Sequence, residues 1–426
     1  MEVKARKKEI QKATNNKNNQ SGSKNITYKG NRLEMYAYKI PVECLIFNQY
    51  NGRIGTFVKT HEKQYEPIDA TTNEGEQLIV EFLWKSKESR NKKTMDDIEE
   101  HGQREVGIIT KDGVIIDGNR RCMLLKKLAK KNSTNPTYFR AIVLPDDFED
   151  NPKEIRKLET IYQMGADQPV DYNAIEKYLK CKELSTDNFT NEEIAKFMGE
   201  KPAKIKEYLS ILKLMEDYLN TYGYEGMYTR LSEEKVEGPF VDIRGYLETQ
   251  KAGKGIQGRN WKPESDDIDD LKIIYFDYIR AGFGTHKIRE IGNPSKGQGF
   301  FNHKEIWDDF INDYNDKITP INDIEKSLND LVQTRPNENI NDIIRSRDTD
   351  WKKEVEPKLK ENLGKYKRKL DDINQANAPM ELLQRAKNTL ESINTNSEEF
   401  DDNLSDIVKS INSILWNFQK IIKKNR

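Results

Sequence analysis

Gly113-Val-Ile-Ile-Asp-Gly-Asn-Arg-Arg121 packs a tight turn, a short apolar strand and a glycine followed by two arginines into nine residues. Asp112-Gly113 is a hairpin-type turn signal. Val114 to Ile116 is a β-branched run suited to a buried strand, and Cys122 to Lys130 carries apolar residues at helical spacing. Gly118 therefore sits where a strand hands over to a helix. At such a junction a residue without Cβ lets an anion approach the backbone. The unpaired N–H groups of the helix start point at it, and an arginine adds a bidentate donor fork. Arg120 and Arg121 are candidates for that fork, with Asp117 and Asn119 flanking the glycine. The pentapeptide alone also fits a plain β-turn before a solvated helix, so its surroundings decide the reading.

Those surroundings alternate strand and helix. A helix over Met95 to Gly102 precedes a strand Val106 to Thr110, and Tyr138 to Leu144 reads as a final strand stopped by Pro145. Pro152 is well placed in the first turn of a helix reaching Met164, and Tyr172 to Leu184 is a further helix. Thr190 then forms an N-cap with Glu193 three residues on, a capping box. Ile194, Ala195 and Met198 make a packing face, Gly199 a turn, and Pro202 opens a second helix whose Ile205, Leu209 and Leu212 point inward. This is the spacing of a helix-turn-helix. Lys204, Lys206 and Tyr208 are left for whatever its second helix faces, with Glu207 among them.

Across residues 38–215 these motifs resemble the N-terminal part of the ParB/sulfiredoxin-like superfamily. Tyr38 to Arg53 looks like the opening strand and Asn-Pro-x-x-x-Arg loop of that family. Gly118-Asn-Arg-Arg121 falls on its Gly-Glu-Arg-Arg box, Glu159-Thr-Ile-Tyr-Gln163 on its Glu-Asn-x-x-Arg box, and 189–212 on the helix-turn-helix that follows. The resemblance implies a nucleoside triphosphate, CTP or ATP, held by Arg53, Gly102, Gln103, Asp117, Gly118, Asn119, Arg120 and Arg121. It implies Mg²⁺ on Glu159 and Thr160, and DNA on Lys204, Lys206 and Tyr208. The chain departs from the pattern where Thr160 replaces asparagine, Gln163 replaces arginine and Asn119 replaces glutamate. A threonine hydroxyl can still ligate a hard cation, but the lost arginine and glutamate favour binding over efficient hydrolysis. The second helix offers no arginine, asparagine or glutamine for bidentate base reading.

Composition sets limits around this core. The 426 residues suffice for two or three domains. Charged residues at 34 % and a mean hydropathy of −0.91 exclude a membrane-spanning chain. Cys44, Cys122 and Cys181 are odd in number and far apart, which fits reduced thiols in a cytoplasm. The four histidines form no zinc spacing. A net charge of −1 argues against indiscriminate nucleic-acid binding, yet residues 1–30 carry eight lysines and arginines against Glu2 and Glu9 and read as a disordered basic arm. Residues 60–94 read as an insertion, a short apolar helix at Gln77 to Trp84 followed by a basic loop from Lys85 to Thr94. The glycine-rich Gly253 to Arg259 lacks the ending of a phosphate loop and reads as surface.

From about residue 320 the chain turns helical. Leu404, Ile407, Ile411, Ile414, Leu415, Phe418, Ile421 and Ile422 keep three-and-four spacing over five turns and need a partner, from the same chain or a second copy.

The expected fold is α+β: a disordered basic arm (1–30), a ParB/sulfiredoxin-like α/β domain (35–150), a helix-turn-helix domain (151–220), a mixed helix and loop region (221–315) and a helical bundle or coiled-coil dimerisation region (320–426). The expected function is a nucleotide-dependent DNA-binding protein of a phage, plasmid or defence locus, cytoplasmic, homodimeric and without membrane contact. The alternatives are a nuclease or ATP-dependent small-molecule kinase of the same superfamily, and an interaction protein with a structural nucleotide. Sulfiredoxin chemistry fits worst, because its reactive cysteine belongs inside the glycine-arginine box and Cys122 lies after it.

Overall fold

Strand order around Gly118 is set by two apolar faces. β1 (Gln20–Tyr28), β2 (Asn31–Pro41), β3 (Gly107–Ile109), β4 (Ile115–Asp117) and β5 (Tyr138–Val143) form one sheet in the order β1-β2-β5-β3-β4. All neighbours run antiparallel except β5 and β3, which pair Gly107 with Ala141 in parallel. Side chains alternate across the pleat. Ile40, Ile109, Ile115, Phe139 and Ala141 enter one core, and Ala37, Ile108, Ile116 and Ile142 enter the other. The structure, a computed structural model, describes residues 1–131, 137–165, 173–253, 256, 259–295, 298–393 and 404–424.

The first face is covered by α1 (Val3–Asn15), α2 (Gly55–Gln64), α3 (Asn73–Ser86), α4 (Glu88–His101) and α5 (Asn119–Lys131), and the second by α6 (Pro152–Met164). Two expectations fail here. The basic arm is ordered: Arg6, Ile10 and Ala13 lie on one face of α1 at four-and-three spacing and are buried, and Lys24 on β1 reaches Asp117 at 3.3 Å. Two apolar contacts and one arginine stem are enough to dock a helix whose average composition is that of a tail. The Lys85 to Thr94 loop is instead helical, broken only at Lys87. Here Asn91, buried, donates to the carbonyls of Leu83 and Trp84 and binds α4 back onto the end of α3.

α7 (Ala174–Thr186), α8 (Asn191–Met198) and α9 (Pro202–Thr221) follow. Thr190 and Glu193 make the reciprocal capping box, and Gly199 takes a left-handed φ of 67° that turns the chain into α9. Tyr172 and most of Gly253 to Arg259 lie outside the described residues. Beyond α9, seven helices, α10 (Tyr228–Glu233), α11 (Glu237–Ala252), α12 (Ser265–Arg280), α13 (Thr285–Gly292), α14 (Lys304–Lys317), α15 (Thr319–Ile324) and α16 (Leu328–Thr334), lead to the long α17 (Ile340–Glu391). A buried polar lock ties several of them: Asp277 accepts from Tyr222, Tyr314 and Asn322, and Arg280 donates to Glu325 and Asp348.

The chain divides into two units, Met1–Lys360 and Glu361–Arg426. The second contains the end of α17 and α18 (Ser405–Lys424), whose Ile407, Ile414, Phe418 and Ile421 are exposed. No described helix is long and apolar enough to cross a membrane.

Docking of α1 gives a direct test. Ile10 is 2 % exposed, so Ile10→Ala should cost about 2–4 kcal/mol of stability, read by urea unfolding. Unchanged stability would show that residues 1–19 do not belong to the core.

Candidate anion-binding site

Gly118 has φ 104°, a conformation that side chains resist, and a Cβ there would lie 2.6 Å from the Phe139 ring. The glycine lets β4 turn directly into α5, whose first turn carries no acidic side chain. Its leading N–H groups are thus open to an anion. A cavity of about 330 Å³ lies in front of them.

All eight residues expected to hold a nucleotide line this cavity: Arg53, Gly102, Gln103, Asp117, Gly118, Asn119, Arg120 and Arg121. Their roles differ. Gln103 donates to the carbonyls of Glu105 and Arg140 and accepts from the Arg140 N–H, so it fixes the wall. Gly102 ends α4 with φ 74°. Asn119 is 2 % exposed, accepts from the Asn48 N–H at 2.9 Å and donates to the Ile115 carbonyl. It ties the first motif to the second. Asp117 receives both Arg121, at 3.0 Å, and Lys24, and so aims the Arg121 guanidinium. The Arg121 Nε is buried with no acceptor among the described residues.

Arg120 donates to Asn91 and to Thr94 rather than to a carboxylate. Burial, then the neighbouring charges of Arg53 and Arg90, pull its pKa down to about 10. Three guanidiniums thus face one space and repel each other there, a field that an anion relieves. Arg90, Thr94 and Asp97 also line the cavity, and sequence reasoning missed them. Their i, i+4, i+7 spacing on α4 was the available signal, masked by a stretch with only Met95 and Ile98 apolar.

The loop that carries Arg53 is held from α6 and α7. The Lys180 ammonium, 2 % exposed, contacts Glu159 at 3.3 Å, Glu183 at 2.9 Å and the Tyr50 carbonyl at 3.3 Å. Burial alone would lower its pKa, but the two carboxylates outweigh that and keep it charged. Gly52 packs so closely that a Cβ would lie 2.7 Å from Met164 and 3.4 Å from Lys180. At the start of α2, Glu176 accepts from the Thr56 N–H and hydroxyl, a carboxylate placed on a helix N-terminus.

This arrangement corrects the metal expectation. Glu159 is 1 % exposed and engaged by Lys180 and Gln163, and the Thr160 hydroxyl donates to the Arg156 carbonyl. The Lys180 ammonium already pairs with the Glu159 carboxylate, and neither side chain lines the cavity. Among the described residues no group of three His, Cys, Asp or Glu could hold a metal ion. The residues fit phosphate, not Mg²⁺ held by Glu159 and Thr160. The second helix of the helix-turn-helix is also corrected. Lys206 is exposed, but Lys204 pairs with Glu207 at 2.9 Å, and Tyr208 is buried with its hydroxyl on Glu200.

Glu176 supplies a pH test. Burial raises its pKa to about 7 against the hydrogen bonds from Thr56, whereas an unfolded glutamate titrates near 4.5. A folded pKa above the unfolded one means that stability is fully present below about 4.5 and is lost as pH rises through about 7. Relative to Glu176→Gln, the wild type should lose about 1–3 kcal/mol between pH 5 and 8. Parallel urea-unfolding profiles for the two proteins would contradict this.

No family model matches the sequence, and no curated protein matches it. Among solved structures, the chain is similar to the C-terminally truncated chromosome-partitioning protein ParB from Caulobacter crescentus complexed to the centromeric parS site, with 15 % identity and a TM-score of 0.28 over 48 % of this chain and 88 % of that one. The same protein complexed with CTP-γ-S gives 16 % identity and a TM-score of 0.17 over 48 % and 91 %. A Pnob8-like ParB-N domain gives 11 % identity and a TM-score of 0.25 over 68 % and 98 %. TM-scores of this size transfer no residue roles, so the functional reading rests on the side chains themselves.

Proposed function

We propose that this chain is a ParB-like, nucleotide-dependent DNA-associated protein, in which Gly118, Arg120 and Arg121 cradle the phosphates of a nucleoside triphosphate, CTP or ATP. The observation that carries the reading is the convergence of Arg53, Arg90 and Arg120 on one cavity in front of the α5 N-terminus. Backbone donors on a first turn without an acidic side chain, a glycine that admits close approach and guanidiniums in mutual repulsion together form a phosphate site. Gln103, Asp117 and Asn119 act as its frame.

DNA enters through the helix-turn-helix. Lys206 is exposed on α9 and suits phosphate contact, while Lys204 must leave Glu207 to join it. A helix so armed binds backbone rather than bases, and two copies in one assembly would strengthen a weak contact. We assign the exposed apolar stripe of α18 to a homodimer. The three buried free thiols fit a cytoplasmic protein.

Arg120→Gln keeps a donor for Asn91 but removes a charge from the repelling trio. It should weaken nucleotide binding by about 10-fold to 100-fold, the cost of a lost charged hydrogen bond, while leaving the ligand-free melting temperature unchanged or higher. Titration calorimetry and thermal unfolding check this, and equal nucleotide affinity would remove the assignment. For the assembly, Phe418→Asp changes an exposed residue of the isolated chain. It should convert a micromolar dimer to monomer in sedimentation and flatten the salt dependence of duplex binding. A wild-type protein that sediments as a monomer would refute the dimer.

A further inference from the structure

A second cavity, of about 200 Å³, shares Arg53, Arg90 and Arg120 with the first. Its remaining basic groups are Lys85 and Lys87, at the break between α3 and α4. Five cationic side chains therefore line it, against Glu176 and Glu233. Glu176, which accepts from the Thr56 N–H and hydroxyl, and Glu233 offset part of that charge, and the cationic groups remain in excess. Lys85 contacts Glu81 at 2.5 Å, but both are about half exposed, and such a surface pair contributes little. On the far wall Asn173 donates to Ser232 at 2.9 Å, giving the cavity amide and hydroxyl groups from α10 and the segment before α7.

We infer that this second cavity is a separate oxyanion subsite, built by the α3–α4 insertion, which takes phosphate groups beyond those held at Gly118 to Arg121. This deepens the proposed nucleotide site, on which it rests for the identity of the first occupant. The three shared arginines border both cavities, so the two are adjacent, and a ligand with a single phosphate fills only the first. A phosphate chain, or a second phosphate-bearing ion, fills both. Total charge grows with each phosphate added to a polyphosphate, so a longer chain finds the further cations Lys85 and Lys87 rather than solvent. Lys85 and Lys87 are exposed, so replacing them leaves folding intact.

The test uses the full chain and three probes: orthophosphate, tripolyphosphate and a nucleoside monophosphate. In titration calorimetry tripolyphosphate should bind more tightly than orthophosphate, and Lys85→Ala with Lys87→Ala should weaken tripolyphosphate about tenfold, as expected for losing one or two charged hydrogen bonds. Monophosphate affinity should stay within about twofold, because neither lysine lines the first cavity. Pyrophosphate added to protein saturated with the monophosphate distinguishes the two sources: lysine-dependent binding there identifies a separate ion, and its exclusion by a nucleoside triphosphate identifies that ligand's own tail. Tripolyphosphate that binds no more tightly than orthophosphate, or equally well to the double variant, overturns the subsite. Nucleotides that fail to bind while tripolyphosphate binding still depends on the lysines would overturn the nucleotide reading and leave the subsite standing.

Discussion

A single buried ammonium fixes the geometry on which the site depends. Lys180 takes its charge into the interior between Glu159, Glu183 and the Tyr50 carbonyl, and a buried charge is tolerated only when fully paired. Replacing such a group by an apolar one of similar size is often neutral or stabilising elsewhere, so the pair is poorly explained as a source of stability. Its geometric effect is plain. It fixes the backbone of residues 50–52 against α6 and α7, and Glu176 repeats the device one turn later at the start of α2. The loop bearing Asn51 and Arg53 is thereby attached to α7 as well as to the sheet domain, where the Asn48 N–H reaches Asn119.

That attachment gives physical content to a link between an anion in the cavity and the orientation of α7 to α9. Arg53 faces the anion from a loop whose anchors lie on α6 and α7, and α7 packs on α9. The Lys180 and Glu176 contacts join the loop that bears Arg53 to α7. A ligand shifts such an equilibrium only by its differential affinity for two arrangements. Lys180 reaches the Tyr50 carbonyl and Glu176 reaches Thr56, so the connection has two anchors on α7.

Much of this was legible in the residues. The strand-to-helix handover at Gly118, the boundaries Pro152 and Met164 and the capping box at Thr190 are set by local chemistry, namely a glycine where φ must be positive, a proline at a first turn and a reciprocal side-chain cap. The eight residues that line the cavity were named through the family resemblance, and the structure brings them to one space from separate elements. What was not legible depends on tertiary partners. α1 was hidden because its packing face contains an arginine stem that the composition counts as polar. Tyr208 looked like a contact residue because its hydroxyl partner, Glu200, lies eight positions away. The Glu159 role inverted because Lys180, 21 residues on, arrives only through the α6–α7 packing.

The distribution of charge explains why a near-neutral chain can carry so concentrated an anion site. The overall charge is −1, yet many of the other strong cations of the first unit are spent on carboxylates: Arg156 on Asp187, Arg280 on Glu325 and Asp348, and Arg230 on Glu234 and Asp348. Arg120 is treated differently, receiving an amide and a hydroxyl that satisfy its hydrogen-bonding geometry while leaving its charge uncompensated. Such an arrangement costs stability in the empty protein and lowers the reorganisation needed when an anion arrives. The insertion that carries α3 and α4 is therefore part of the site, since it contributes Arg90 to the repelling trio and Asn91 and Thr94 to hold Arg120 in place.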